Sequence, residues 1–336
     1  MPDASTPAPL FDMDELIAAR DLVYRHMAPT PQYAWPLLAR RLGAQVVVKH
    51  ENHTPIGAFK VRGGLVYLDE LNRAEPDCPG IVTATRGNHG QSIPFAARAY
   101  GVPVTVLVPR GNSVEKNAAM QGWGATVETF GDDFEEARQE AVRRAGEQGL
   151  HIVPPFHKAL VTGVGTYALE LFEAFRDLDV VYAPIGMGSG VCGLITVRDL
   201  MGLATEIVGV VSEGADAYAL SFDAGRVVAT NTTHTLLGDG MDCRAPWEEP
   251  VGIIRRGASR VVRVGDEELA GAMRAYYADT HNLAEGAGAA GLAAAMKERD
   301  RLAGRKVGVI LSGGNVDAAL FARVLAGETP TKPRRA

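Results

Sequence analysis

Seven short apolar runs punctuate the chain, at 45–49, 80–83, 104–108, 126–130, 180–185, 207–211 and 307–311, most of them rich in β-branched residues. Between them lie stretches with helical spacing of apolar positions, one starting near Asp12 and an alanine-rich one over 285–297. Strands and helices alternating in this way predict parallel sheets covered by helices on both faces, an α/β fold. Three of the strands and three helical patterns fall within 69–155, enough for a small sheet of its own. The expected organisation is a small domain, 69–155, inserted into a large one built from 1–68 and 156–336, with a ligand cleft between them at strand carboxyl ends. The chain shows no internal repeat.

Composition narrows the partners. At 336 residues, with 46% hydrophobic and 22% charged residues, the chain can bury a two-lobed core. Its net charge of -6 argues against nucleic acid or an anionic membrane. The basic tail 332–335 and the Pro-rich start 1–9 read as disordered. No run approaches the ~18 apolar residues of a membrane span, and the first residues lack the parts of a signal peptide, so a cytoplasmic protein is expected. Cys78, Cys192 and Cys243 have no paired spacing and read as reduced thiols, Cys192 as a small buried residue. The histidines lack zinc-ligand spacing, so no metal is assigned.

Four polar, glycine-punctuated segments break the pattern. Lys60 follows the Pro55-Ile56-Gly57 turn and Phe59 and precedes Gly63-Gly64, where backbone geometry is demanding; a lysine there can hold a carbonyl cofactor as a Schiff base. Thr85-Arg86-Gly87-Asn88-His89 lies between a strand and a helix start, a place for a carboxylate or phosphate. Gly186-Met187-Gly188-Ser189-Gly190 likewise joins a strand to a helix and reads as a phosphate cradle. That segment also holds a G-x-G-x-x-G, Gly188, Gly190 and Gly193, with Glu213 about 20 residues on, so a nicotinamide oxidoreductase stands as a rival reading. Ser312-Gly313-Gly314-Asn315 closes the last strand.

In this order and spacing the four segments resemble the serine/threonine dehydratase group of fold type II pyridoxal 5′-phosphate enzymes, a group that also includes serine racemases. The resemblance runs from Thr30 to Asp317. It implies a tryptophan synthase β-like fold of two open, twisted, mainly parallel sheets flanked by helices, a homodimer, and a small amino acid as substrate. By the resemblance Lys60 is the Schiff-base lysine and Phe59 lies against the cofactor ring. Asn88 bonds the ring hydroxyl, residues Gly186, Met187, Gly188, Ser189 and Gly190 bind the phosphate, Glu285 borders the pocket, and Ser312 faces the pyridine nitrogen. Thr85, Arg86, Gly87, Asn88 and His89 form the substrate side. The implied reaction is α,β-elimination from a β-hydroxy-α-L-amino acid to a 2-oxo acid and ammonia, with Lys60 removing the α-proton.

Two departures bear on substrate and outcome. The family motif reads Ser-Ser-Gly-Asn-His, but the second serine, the racemase acid/base, is Arg86 here, which disfavours racemisation. Arg86 can pair with a substrate carboxylate, so L-threo-3-hydroxyaspartate and L-threo-phenylserine stand beside threonine and serine as substrates. Where racemase-like members bind a divalent ion, this chain carries Val211 and Ala217; a monovalent ion on backbone carbonyls remains compatible. Substrate choice is expected to rest on the loops 132–135, 156–158 and 236–242.

Overall fold

The computed structural model describes residues 8–331, so most of the Pro-rich start and the whole basic tail lie outside the described residues. Among the described residues there are ten strands: β1 (Gln32–Ala34), β2 (Gln45–His50), β3 (Ile81–Ala84), β4 (Val104–Val108), β5 (Thr126–Thr129), β6 (His151–Ile152), β7 (Val180–Pro184), β8 (Glu206–Ser212), β9 (Arg260–Val264) and β10 (Lys306–Leu311). One sheet runs β1-β2-β10-β7-β8-β9 and the other β5-β4-β3-β6. Only the β1–β2 pair is antiparallel; every other pair is parallel. The chain thus leaves the large sheet after β2, builds the small sheet, and returns at β7.

Side-chain alternation explains how each sheet is covered. Val307, Val309 and Leu311 of β10 enter one core with the alanines of the helix Gly286–Lys297, while Ile310 enters the opposite core with the helix Lys158–Ala174. In the small sheet Ile81, Val104, Val106 and Val108 pack on Ile93 and Ala96 of the helix Asn88–Ala97. Val82, Ala84 and Leu107 pack on Ala137 and Ala141 of the helix Phe134–Gln148. Three strands went unforeseen in the apolar pattern. The strands β1 and β6 have three and two residues, too short to show periodicity, and β9 (Arg-Val-Val-Arg-Val) is a half-buried edge that alternates charge with valine.

The helix Lys60–Ala74 packs against both Asn88–Ala97 and Lys158–Ala174, so its first turn is fixed between the two sheets. Beneath that turn lies a buried charge cluster. Arg62 bonds Glu51 at 2.7 Å and Glu170 at 2.6 Å, Lys49 pairs with Glu170, and Thr30 donates to Glu51 at 2.5 Å. Two cations meet two carboxylates there, and all four side chains are within 5% of full burial. Among the described residues no helix is long and apolar enough to cross a membrane.

Candidate active site

Each of the four glycine-punctuated segments follows the carboxyl end of a strand. The strand β3 gives way to Thr85-Arg86-Gly87 and the helix Asn88–Ala97, β7 to the 186–188 turn and the helix Ser189–Leu200, and β10 to Ser312 and Gly313. Parallel strands align these ends, and one cleft is lined by all of them: Phe59, Lys60, Thr85, Arg86, Gly87, Asn88, His89, Gly186, Met187, Gly188, Ser189, Gly190, Glu285 and Ser312.

Backbone bonds hold Lys60 in place. Thr54 Oγ1 accepts the Ala58 N–H at 2.9 Å, the Phe59 N–H donates to the Ser312 carbonyl at 3.0 Å, and Ala58 bridges Gly313. The β10 turn and the start of the Lys60 helix are therefore one unit. Lys60 Nζ lies 4.8 Å from the centre of the Phe59 ring and donates to Ser189 Oγ at 3.0 Å. Burial pushes its pKa down to about 8, because the apolar wall disfavours the ammonium form. His89, also buried, is pushed down to about 3, first by desolvation and then by Lys60.

The glycine turn is built for an anion. The first helical bond runs from the Cys192 N–H to the Gly188 carbonyl, so the N–H groups of Ser189, Gly190 and Val191 have no partner within the helix, and Ser189 and Gly190 line the cleft. Gly188 has φ +97°, and a Cβ there would sit 2.9 Å from Pro250 Cβ, so the turn requires glycine. Two tyrosines fasten it: Tyr167 donates to the Gly190 carbonyl and Tyr218 to the Met187 carbonyl, each at 2.9 Å. A second N-terminus faces the same cleft. The Gln91 N–H reaches the Gly87 carbonyl, which leaves Asn88, His89 and Gly90 with unbonded first-turn donors.

The Asn88 amide is oriented from both ends. Its oxygen accepts from Asn315 Nδ2 at 2.8 Å, and its nitrogen donates to Glu285 Oε1 at 2.5 Å, which leaves one N–H for a ligand. Glu285 is buried and its carboxyl pKa is raised by desolvation, against the pull of Lys116 at 3.2 Å. Lys116 in turn lies 2.6 Å from Asp239; burial opposes its charge, but Asp239 and Glu285 outweigh burial and hold its pKa up. Arg86 Nε faces Asp242 Oδ2 at 3.1 Å.

Lys116 sits on a helix with no glycine-rich signal; Asp239 and Asp242 fall within the 236–242 loop and Asn315 within the Ser312 turn, but none of the four has a role legible from sequence, because each acts through a contact that only the fold makes. Of the three loops expected to shape the pocket, 132–135 contributes Phe134 and 236–242 contributes Asp239, Gly240 and Asp242. Residues 156–158 do not line it: Phe156 is in the core, and His157 caps the helix Lys158–Ala174. The nicotinamide fingerprint dissolves. Its acidic member, Glu213, is outside the cleft and faces Lys297 at 3.5 Å, while Gly193 serves only the close packing of its helix on Gly165.

An amine of lowered pKa, a wall of open N–H donors and a fixed amide in one cleft suit an aldehyde-bearing aromatic phosphate. The family profile described as pyridoxal-phosphate dependent enzyme matches residues 23–313. The chain is 31% identical over 315 residues to the L-threo-3-hydroxyaspartate ammonia-lyase of Saccharomyces cerevisiae, covering 94% of this chain and 96% of the relative. It is 30% identical over 315 residues to the serine racemase of Schizosaccharomyces pombe, covering 93% and 97%. Among solved structures, processed threonine deaminase isoform 2 of Solanum lycopersicum superposes with a TM-score of 0.85 at 27% identity, over 97% of this chain and 98% of that one. The chain belongs to the pyridoxal-phosphate-dependent enzymes, in the serine/threonine dehydratase group of fold type II, and is an ammonia-lyase of that group.

Proposed function

We propose that the enzyme removes water from a β-hydroxy-α-L-amino acid, with Lys60 as the cofactor's anchor and as the base, and releases a 2-oxo acid and ammonia. The observation that carries this reading is the Lys60 amine, enclosed in the cleft at a pKa of about 8 and aimed at the glycine turn. When bound, pyridoxal phosphate supplies an electron sink that acidifies the α-hydrogen of the amine joined to it. The donor set matches its parts. The first-turn N–H groups at Ser189 and Gly190 would hold the phosphate, the free N–H of Asn88 the ring hydroxyl and Ser312 the ring nitrogen, and Phe59 would support the ring. A serine hydroxyl shares a hydrogen bond with that nitrogen without holding it protonated, which favours prompt loss of the β-hydroxyl over a long-lived carbanion.

The Asn88, His89 and Gly90 N–H groups seat the substrate α-carboxylate. Lys60 takes the α-proton, since at neutral pH roughly a tenth of an amine with pKa about 8 is free base, against well under a thousandth for an ordinary lysine. Loss of the β-hydroxyl leaves an enamine; water adds to its imine form and ammonia departs, so the water lost is regained. Racemisation needs a second proton donor on the opposite face, and Arg86 does not give up a proton near neutrality.

The rate should rise with pH up to about 8 and level off above it, because only the neutral Lys60 amine accepts a proton. A profile flat between about pH 6 and 9 would remove Lys60 as the base. Lys116→Met leaves Glu285 buried without its cation, so that carboxyl takes up a proton and accepts the Asn88 N–H more weakly, which loosens the amide. The cofactor dissociation constant, read by absorbance titration, is expected to rise about tenfold, and an unchanged constant would detach Lys116 from the cofactor.

In this reading residues 69–155 form a separate unit that borders the substrate, and the exposed Tyr33, Leu37, Tyr277 and Leu325 belong to a homodimer contact. The function is tested by 2-oxo acid release with pyridoxal phosphate from L-threonine, L-serine, L-threo-3-hydroxyaspartate and L-threo-phenylserine. At least one should turn over; release from none would end the elimination reading.

A further inference from the structure

Three cationic side chains reach the cleft, and two are committed. Lys60 is the cofactor's anchor, and Lys116 is held by Asp239 at 2.6 Å and Glu285 at 3.2 Å. Arg86 differs. Its one ion pair is to Asp242, through Nε at 3.1 Å, and that Nε, although buried, makes no aligned hydrogen bond. Among the described residues no acceptor takes a hydrogen bond from either Nη. The side chain is 16% exposed, open to a small ligand but poorly placed for full hydration.

A guanidinium carries five N–H donors in a planar fork. Asp242 sits at the Nε edge, which leaves the Nη edge to receive a ligand on a residue that lines the cleft. Asp242 itself is only 7% exposed, so it balances the Arg86 charge and fixes the fork by its other side. The α-carboxylate has its own seat at the start of the helix Asn88–Ala97. Arg86 is therefore spare for a second charge.

We infer that Arg86, positioned by Asp242, selects β-hydroxy amino acids that carry a second carboxylate on the β-carbon, the chemical class of 3-hydroxyaspartate, over threonine and serine. The inference rests on the lyase reading. A β-carboxylate meets the Nη edge bidentately, whereas a methyl group or hydrogen there dehydrates the fork and leaves its donors unmade. Asp242 does not cancel this selection, because it engages a different edge of the same planar group. It acts as a positioning residue.

The test compares kcat/KM of the holoenzyme for L-threo-3-hydroxyaspartate and L-threonine, read as 2-oxo acid. Hydroxyaspartate is expected to be favoured by at least about tenfold, and Arg86→Gln to lower its kcat/KM about a hundredfold more than that of threonine, mainly through KM. Asp242→Ala should raise KM for hydroxyaspartate more than for threonine, with Asp242→Glu restoring part of the difference; equal effects on both substrates would remove Asp242 from the account. Competition of succinate and butyrate against either substrate needs no variant: succinate should inhibit and butyrate should not. Equal inhibition by the two acids, or a wild-type enzyme that turns over threonine as well as or better than hydroxyaspartate, overturns the inference and leaves the lyase intact. No 2-oxo acid from either amino acid would instead break the lyase reading.

Discussion

Lys60→Ala should lower steady-state ammonia release by more than about 10⁴-fold, because one side chain is asked both to anchor the cofactor and to move the α-proton. His89 also lines the cleft and feels the Lys60 charge, but burial and Lys60 push its pKa down to about 3, too weak to take over proton removal, and the Glu285 carboxyl is engaged by Asn88 and Lys116. Lys60→Arg should be as inactive, since a guanidinium keeps the positive charge but has no free base near neutrality. The Lys60 side chain ends in the cleft and, among the described residues, bonds only Ser189 Oγ, so both variants should keep the circular dichroism of the parent. Ammonia release by Lys60→Ala above the protein-free rate would contradict the assignment.

The largest effect on stability is expected far from any motif, at Arg62→Met. Arg62 is fully buried, bonded to Glu51, Glu170, Thr30 and Thr166, and joined with Lys49 in a cluster whose charges balance. Methionine keeps much of the volume but leaves two buried carboxylates facing one cation. An uncompensated buried charge costs about 3–5 kcal/mol, a drop in Tm of roughly 10 °C for a chain of this size. Adding Glu51→Gln should recover part of the loss by restoring the balance of charge, a coupling that a double-mutant cycle measures. An unchanged Tm in Arg62→Met would mean that the cluster is solvated or rearranged. The same variant should weaken the cofactor as well, since Arg62 fixes the helical turn that begins at Lys60.

Why some of this was legible in the sequence follows from how each feature is encoded. The strands β2, β3, β4, β7, β8 and β10 are buried on both faces and so appear as apolar runs, and the turns after β3, β7 and β10 appear because backbone approach and positive φ demand glycine. Parallel alignment then collects those turns at one end, which is why widely separated residues such as Lys60, Asn88, Ser189 and Ser312 could be grouped before any coordinates. What stayed hidden is carried by single side chains at ordinary helical or loop positions. Lys116 reads as a surface lysine on a short helix, yet Asp239 and Glu285, from two other segments, make it a buried ion. Glu170 and Arg62 look like solvated charges in amphipathic helices until the helices cross. Arg86 was visible as a departure from a motif, but its free Nη edge and its pairing with Asp242 exist only in three dimensions.

The most direct test of the account is to load the protein with pyridoxal phosphate, reduce the linkage with borohydride, and map the modified peptide by mass spectrometry. One pyridoxyl group per chain is expected, on the peptide that contains Lys60. A pyridoxyl group on Lys116 or any other lysine, or none at all, would contradict it.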